Sequence, residues 1–180
     1  MRALVKTKAG QGLEMVEKPI PTPGVGEVLI QVRYASICGT DLHIYKWDNW
    51  AQGRIKPPLT IGHELSGQVA GLGEGVRNVQ EGDWVSAEGH IWCGQCYQCH
   101  TGQKHIWRQA QIIGVDRDGC FADYVVLPEQ NIWKLHPEMD PRLGSVFDPF
   151  GNAVHASMSW NLGGRSVLVA GCGPIGVMCV

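Results

Sequence analysis

The chain is predicted to fold as a mainly β domain followed by the beginning of an α/β unit. Three observations carry this prediction. Short β-branched runs separated by turn residues fill the first three quarters of the chain. Glycine (24) and proline (10) are abundant among the 180 residues, which favours a turn-rich β architecture over a helical bundle. After Gly163-Gly164 the pattern changes to a buried-strand run and a glycine-rich turn.

Strands are predicted at Ala3–Lys6, Leu13–Val16, Glu27–Tyr34, Ser66–Ala70, Asp83–Ala87 and Ala122–Leu127. The turns between them carry the expected punctuation at Pro23-Gly24-Val25-Gly26, Gly71-Leu72-Gly73-Glu74-Gly75 and Asp116-Arg117-Asp118-Gly119. Pro141 to Trp160 has helical length and apolar spacing, with Pro149-Phe150-Gly151 expected to interrupt it. Ser166–Ala170 reads as a buried strand. Gly171-x-Gly173-Pro174-Ile175-Gly176 then opens an apolar run, in the strand-to-helix context that lets a backbone approach a pyrophosphate. The boundary between the two units falls near residues 155–165, giving domains 1–155 and 156–180. No internal repeat is evident.

Composition excludes several classes. The hydrophobic fraction of 44% supports a packed core, and 15 basic against 17 acidic residues leave a net charge of −2 with no basic stripe. Nucleic acid and an anionic membrane are therefore not expected partners. The N-terminus lacks the apolar run of a signal peptide, and the longest apolar stretch is too short and glycine-rich to span a bilayer. A cytoplasmic location with reduced thiols is expected. Seven cysteines, an odd number, argue for metal chemistry over a disulfide framework.

Cys38-Gly-Thr40-Asp-Leu-His43, followed by Gly62-His63-Glu64, assembles a thiolate, an imidazole and a carboxylate, the donor types of a catalytic zinc site. Thr40 and His43 add a hydroxyl and a second imidazole able to carry a proton out of such a site. Downstream, Cys93-x-x-Cys96-x-x-Cys99 forms a second cluster of soft donors.

These segments, with Glu88-Gly-His90-Ile-Trp-Cys-Gly-Gln-Cys96 and Phe147-Asp148-Pro-Phe-Gly-Asn-Ala-Val-His155, resemble the zinc-dependent medium-chain alcohol dehydrogenase family. The pattern is closest to its bacterial L-threonine 3-dehydrogenase branch, and the similarity covers essentially the whole chain. The resemblance implies a GroES-like catalytic domain, followed here by the truncated start of a Rossmann domain. It implies zinc and NAD as cofactors. The reaction would be oxidation of L-threonine at its 3-hydroxyl to 2-amino-3-oxobutanoate, in a homotetramer. Oxidation of sorbitol- or butanediol-type polyols is the alternative substrate class, and a non-catalytic zinc-binding module is the alternative role.

By the same resemblance, Cys38, His63 and Glu64 match the catalytic zinc ligands or their immediate support. Asp148 falls where this branch has an acidic ligand, although a helix N-cap role competes for it. Thr40 and His43 match the proton relay, and His90 a residue near the substrate pocket, with a structural hydrogen-bonding histidine as its alternative. Gly171, Gly173, Pro174, Ile175 and Gly176 match the dinucleotide loop. The acidic residue that would hold the ribose is expected about 20 residues further on, past Val180, so the chain is expected to be a piece of a longer enzyme. The family's structural zinc uses a fourth cysteine eight residues after the third. That position is Trp107, whose indole offers no lone pair, so Cys93, Cys96 and Cys99 leave the tetrahedron open unless His100 or His105 closes it.

Overall fold

The computed structural model describes all 180 residues except the side chain of His105, whose expected role as a fourth zinc donor therefore lies outside the described residues. In chain order the elements are β1 (Arg2–Lys6), β2 (Glu14–Glu17), β3 (Glu27–Ser36), α1 (Gly39–Lys46), α2 (Asn49–Arg54), β4 (Leu59–Thr60) and β5 (Glu64–Leu72). They continue with β6 (Trp84–Ala87), β7 (His90–Ile91), α3 (Tyr97–His100), β8 (Gln111–Ile112), β9 (Tyr124–Pro128), β10 (Ile132–Lys134), α4 (Phe147–Met158) and α5 (Pro174–Met178).

Antiparallel pairing organises the strands into a five-stranded sheet, β10-β6-β5-β3-β9, a three-stranded sheet, β2-β1-β4, and a two-stranded ribbon, β7-β8. The segment entering β9 ties the two larger sheets together. Leu4 donates to the Phe121 carbonyl at 2.7 Å, Asp123 donates to Arg2 at 3.0 Å, and Phe121 donates to Ile61 at 2.9 Å. The result is a mainly β architecture, as the turn-rich sequence predicts.

Alternation in β3 and β9 sends Val28, Ile30, Val125 and Leu127 inward against Leu65, Val69 and Val85. Each such side chain contributes about 1.5–3 kcal/mol when taken from water. A second cluster of Ile44, Ala51, Ile55, Leu59, Ile61 and Val115 seats α1 and α2 against β4. Phe121 packs against both clusters.

The six predicted strands form, displaced by at most a few residues at their ends. Two expectations fail. Residues 166–170 form no strand, because no neighbouring strand pairs with them, and Leu168 is 92% exposed. Nor does Pro149-Phe150-Gly151 interrupt the helix. Pro149 stands in the first turn of α4, where its missing N–H would have found no intrahelical acceptor. The residues before it, Pro141–Val146, wind as a 3₁₀ turn started by Pro141 and by the Asp140 carboxylate, which accepts from Arg142 N at 3.0 Å. Among the described residues, no helix is long and apolar enough to cross a membrane.

Candidate catalytic metal centre

The register of β3 against β5 builds the centre. Ser36 stands opposite Glu64, so the residues just past the end of β3 meet those just before β5. Cys38, His63 and Glu64 each bring one donor atom into a group whose members all lie within 4.8 Å of one another.

Glycine makes this approach possible. Gly62 has φ +91, and a Cβ there would stand 2.3 Å from Phe121 Cδ1. Gly119 closes over it so tightly that its own Cβ would come within 2.1 Å of the Gly62 carbonyl oxygen. The backbone carrying His63 is thus held by contacts that tolerate no side chain at either glycine.

On the other side, Cys38 is the extended residue entering α1. Its amide donates to Asp41 Oδ2 at 2.8 Å, which closes the first turn. The helix ends where Trp47 adopts the left-handed conformation (φ 58) and donates to the His43 and Ile44 carbonyls. Asp48 then caps α2 by accepting from Ala51 N at 3.1 Å, and its other oxygen pairs with His43 Nδ1. His43 is 57% exposed and lies 6.0 Å from the Trp50 ring.

Asp41, within the Cys38–His43 segment, adds a carboxyl to the candidate site. It is buried, and its Oδ1 stands 3.9 Å from His63 Nδ1. Neither of these buried atoms has a hydrogen-bond partner. Its signal in the sequence is the acidic residue three positions after Cys38, at the helix start.

Three carboxyls converge here without a lysine or arginine bridging any of them among the described residues. Burial is the largest cause pushing Asp41, Glu64 and Asp148 above the ordinary carboxylate range. For Glu64, the neighbouring Asp148 and Asp41 push it further, while His63 pulls it back. Burying several carboxylates unpaired is costly, and a divalent cation relieves that cost. A thiol, an imidazole and a carboxylate within mutual reach, above two orphaned buried atoms, fit zinc. An imidazole that ligates a metal usually gives its other nitrogen to a carboxylate, and Asp41 stands where that partner belongs.

Thr40 Oγ1 accepts from the Cys38 thiol at 3.7 Å. Among the described residues no hydrogen bond joins Thr40 to His43, although both lie on α1 three positions apart.

The structure groups Asp148 with Glu88 and His90 rather than with the thiol, and its side chain also senses the charge of His63. It occupies the second position of α4, so it is not that helix's N-cap, which is Val146. Gly89 allows the approach: a Cβ there would lie 2.9 Å from Asp148 Oδ1. Glu88 Oε1 accepts from the His90 amide at 2.9 Å and pairs with His90 Nδ1 at 2.8 Å. This pairing raises the His90 imidazole, and it outweighs the burial that would lift Glu88, leaving Glu88 below its ordinary range. Asn131 fastens the turn by donating to the Glu88 and His90 carbonyls at 3.0 and 2.7 Å. Glu88, His90 and Asp148 line a cavity of about 580 Å³ together with Trp133, Asn152 and His155.

Cys93, Cys96 and Cys99 form a separate three-sulfur group, and no further Cys, His, Asp or Glu among the described residues joins it. His100 is exposed and stands outside it. A closed tetrahedral zinc site does not fit the donors described there. Cys120 is buried, and that burial pushes its thiol far up, so it is an inert core residue. At the C-terminal end, Gly171 has φ +115, Gly173 precedes α5, Pro174 opens it, and a Cβ at Gly176 would meet the Gly171 carbonyl at 2.1 Å. Such close passage of loop and helix backbone fits the glycine-rich turn that cradles a dinucleotide.

Comparison with known proteins agrees with this geometry. The alcohol dehydrogenase GroES-like domain family matches residues 24–137. An L-threonine 3-dehydrogenase of Symbiobacterium thermophilum is 54% identical over 180 residues, covering 100% of this chain and 51% of the relative. One of Pyrococcus horikoshii is 51% identical over 178 residues, covering 99% and 51%. Among solved structures, an alcohol dehydrogenase of Escherichia coli complexed with NADH aligns with TM-score 0.87 at 34% identity, covering 99% of this chain and 51% of that one. A zinc-binding dehydrogenase of Sinorhizobium meliloti bound to NADP aligns with TM-score 0.78 at 31% identity, covering 89% and 46%. The chain spans about half the length of the curated relatives it matches. With its antiparallel sheets and its convergent thiol, imidazole and carboxylate, the chain belongs to the alcohol dehydrogenase GroES-like domain family.

Proposed function

We propose that this chain is the catalytic part of a zinc-dependent dehydrogenase that oxidises L-threonine at its 3-hydroxyl to 2-amino-3-oxobutanoate with NAD as acceptor. The observation that carries the reading is the convergence of Cys38, His63 and Glu64 beside the carboxyls of Asp41 and Asp148. The similarity to L-threonine 3-dehydrogenases at about half identity supports the substrate. In this reading residues 1–155 are the catalytic domain and 156–180 begin the NAD-binding unit. Gly171, Gly173, Pro174, Ile175 and Gly176 form its phosphate-facing loop.

Cys38, His63 and Glu64 would hold zinc, with Asp148 as the further acidic ligand at the cavity wall. Zinc held there would supply Lewis acidity toward the substrate hydroxyl, and NAD would supply the hydride acceptor. The remaining work falls to the chain's own side chains. Asp41 orients His63 from behind. Thr40, next to the Cys38 sulfur, receives the hydroxyl proton, and the exposed His43 delivers it to solvent. Asp48 fixes the His43 ring through Nδ1, which leaves Nε2 as the working nitrogen. His90, steadied by Glu88, faces the cavity where the substrate would lie. The full-length protein would act as a cytoplasmic homotetramer on this small molecule.

The test is a chain extended by the C-terminal half of the Symbiobacterium thermophilum relative and assayed with NAD. Turnover of L-threonine well above that of sorbitol and 2,3-butanediol is expected. Polyol oxidation with none on L-threonine would overturn the substrate assignment.

A further inference from the structure

Cys93, Cys96 and Cys99 gather three soft donors, and no fourth joins them among the described residues. Its sulfurs are close together: Cys93 to Cys99 is 3.9 Å and Cys96 to Cys99 is 3.5 Å. Three sulfurs each about 2.3 Å from a central metal stand about 4.0 Å apart, so only a small adjustment separates this arrangement from a loaded one.

The backbone prepares the site. Gly94 turns the chain at φ +75, Cys96 precedes the short helix α3, and Cys99 is carried inward on that helix.

A fourth donor is missing among the described residues. Trp107, which ends the 3₁₀ turn Lys104–Ile106, brings an indole without a free lone pair, and His100 stands outside the group. Cys93 is exposed and Cys96 half-buried, so solvent reaches the cluster. Zinc in a structural site takes four ligands, whereas soft thiolates alone satisfy Cu(I).

We infer that Cys93, Cys96 and Cys99 form an open three-thiolate site that selects the soft monovalent ion Cu(I) over Zn(II). This site is separate from the Cys38 centre; its Cu(I) binding does not depend on that assignment, whereas the zinc counts below rest on it and are read beside Cys38→Ser, which removes only that centre's zinc.

The test uses the full chain, reduced and stripped of metal, titrated with Cu(I) against bathocuproine disulfonate and with Zn(II) against a fluorescent chelator. The expected result is one Cu(I) per chain held by three sulfurs in copper X-ray absorption. That binding is lost in Cys96→Ser and in the exposed-site variant Cys93→Ser, and is unchanged in His105→Ala. Only one Zn(II) is taken up tightly by the unaltered chain. Trp107→Cys gains a second, with at least a hundredfold rise in zinc affinity at the lobe. A second tight zinc in the unaltered chain that His105→Ala removes would overturn the inference in favour of a Cys3His site. A second tight zinc that survives His105→Ala but not Cys93→Ser would overturn it equally, as would a lobe that binds neither ion.

Discussion

Gly62→Ala probes the strut on which the proposed metal centre rests. The alanine must adopt φ +91, a left-handed backbone that costs an L-residue about 1–2 kcal/mol. Its Cβ would stand 2.3 Å from Phe121 Cδ1 and 2.6 Å from Cγ, so the ring must shift within the two clusters it packs against. Overpacking of this kind costs about 1–3 kcal/mol. The total is about 2–5 kcal/mol, or a melting temperature lower by roughly 4–20 °C for a chain of this size. Urea unfolding followed by circular dichroism measures it.

The two contributions separate in a double-mutant cycle. Phe121→Ala alone costs about 3 kcal/mol, but it removes the three atoms nearest the new methyl group. Gly62→Ala in that background should retain only the backbone cost, so the double variant is more stable than additivity predicts by about 1–3 kcal/mol. Additive costs, or a neutral Gly62→Ala, would refute the argument that Phe121 fixes the turn carrying His63.

The remaining predictions concern the groups around that turn. Asp41→Asn should weaken zinc binding about 10–100-fold if the carboxylate supports His63, whereas an unchanged zinc dissociation constant would reduce Asp41 to closing the first turn of α1. His43→Ala in the extended enzyme should slow turnover and leave zinc content unchanged, and loss of zinc would make His43 a ligand instead. Asp118 accepts from Thr60 N at 2.8 Å and pairs with Lys18. Burial alone would raise its carboxyl, but these partners outweigh it and hold the group below its ordinary range. A depressed folded value means the contribution is complete above the unfolded value near pH 3.9 and lost as pH falls through the folded one. Asp118→Asn should therefore lower stability at neutral pH by up to about 1 kcal/mol, the modest worth of a half-exposed pair. The difference from the unaltered chain should shrink below about pH 4 in acid titrations of unfolding. A difference that persists at low pH would show that the charge is not its source.

Much of the β architecture was legible because β-branched runs and glycine turns are local signals. The six predicted strands are the ones long enough to carry an alternating pattern. The strands β4, β7, β8 and β10 are two or three residues long, and only their partners make them strands. Lys134, for example, becomes β structure by standing opposite Val85. The converse holds at 166–170, where Val167, Leu168 and Val169 carry strong strand propensity but have no partner strand. The helices α1 and α2 escaped notice because their sequence carries little apolar periodicity. Their caps, Cys38 with Asp41 and then Asp48, do the work instead.

The candidate site was legible in its donors and less so in its supports. Cys38, His63 and Glu64 come together as the motif spacing predicts. Asp148 instead lies among Glu88 and His90, a grouping set by where α4 meets the end of β6. The interactions of Asp41 with His63, and of Asp48 with His43, depend on side-chain direction within two short helices, which spacing alone does not encode.

Metal content tests the central claim most directly. Reduced chain loaded with zinc and freed of excess should carry one tightly held zinc per chain by plasma mass spectrometry, and Cys38→Ser should abolish it. Absence of tightly held zinc from the unaltered chain, or its retention after Cys38→Ser, would contradict the assignment of Cys38, His63 and Glu64 as the catalytic metal centre.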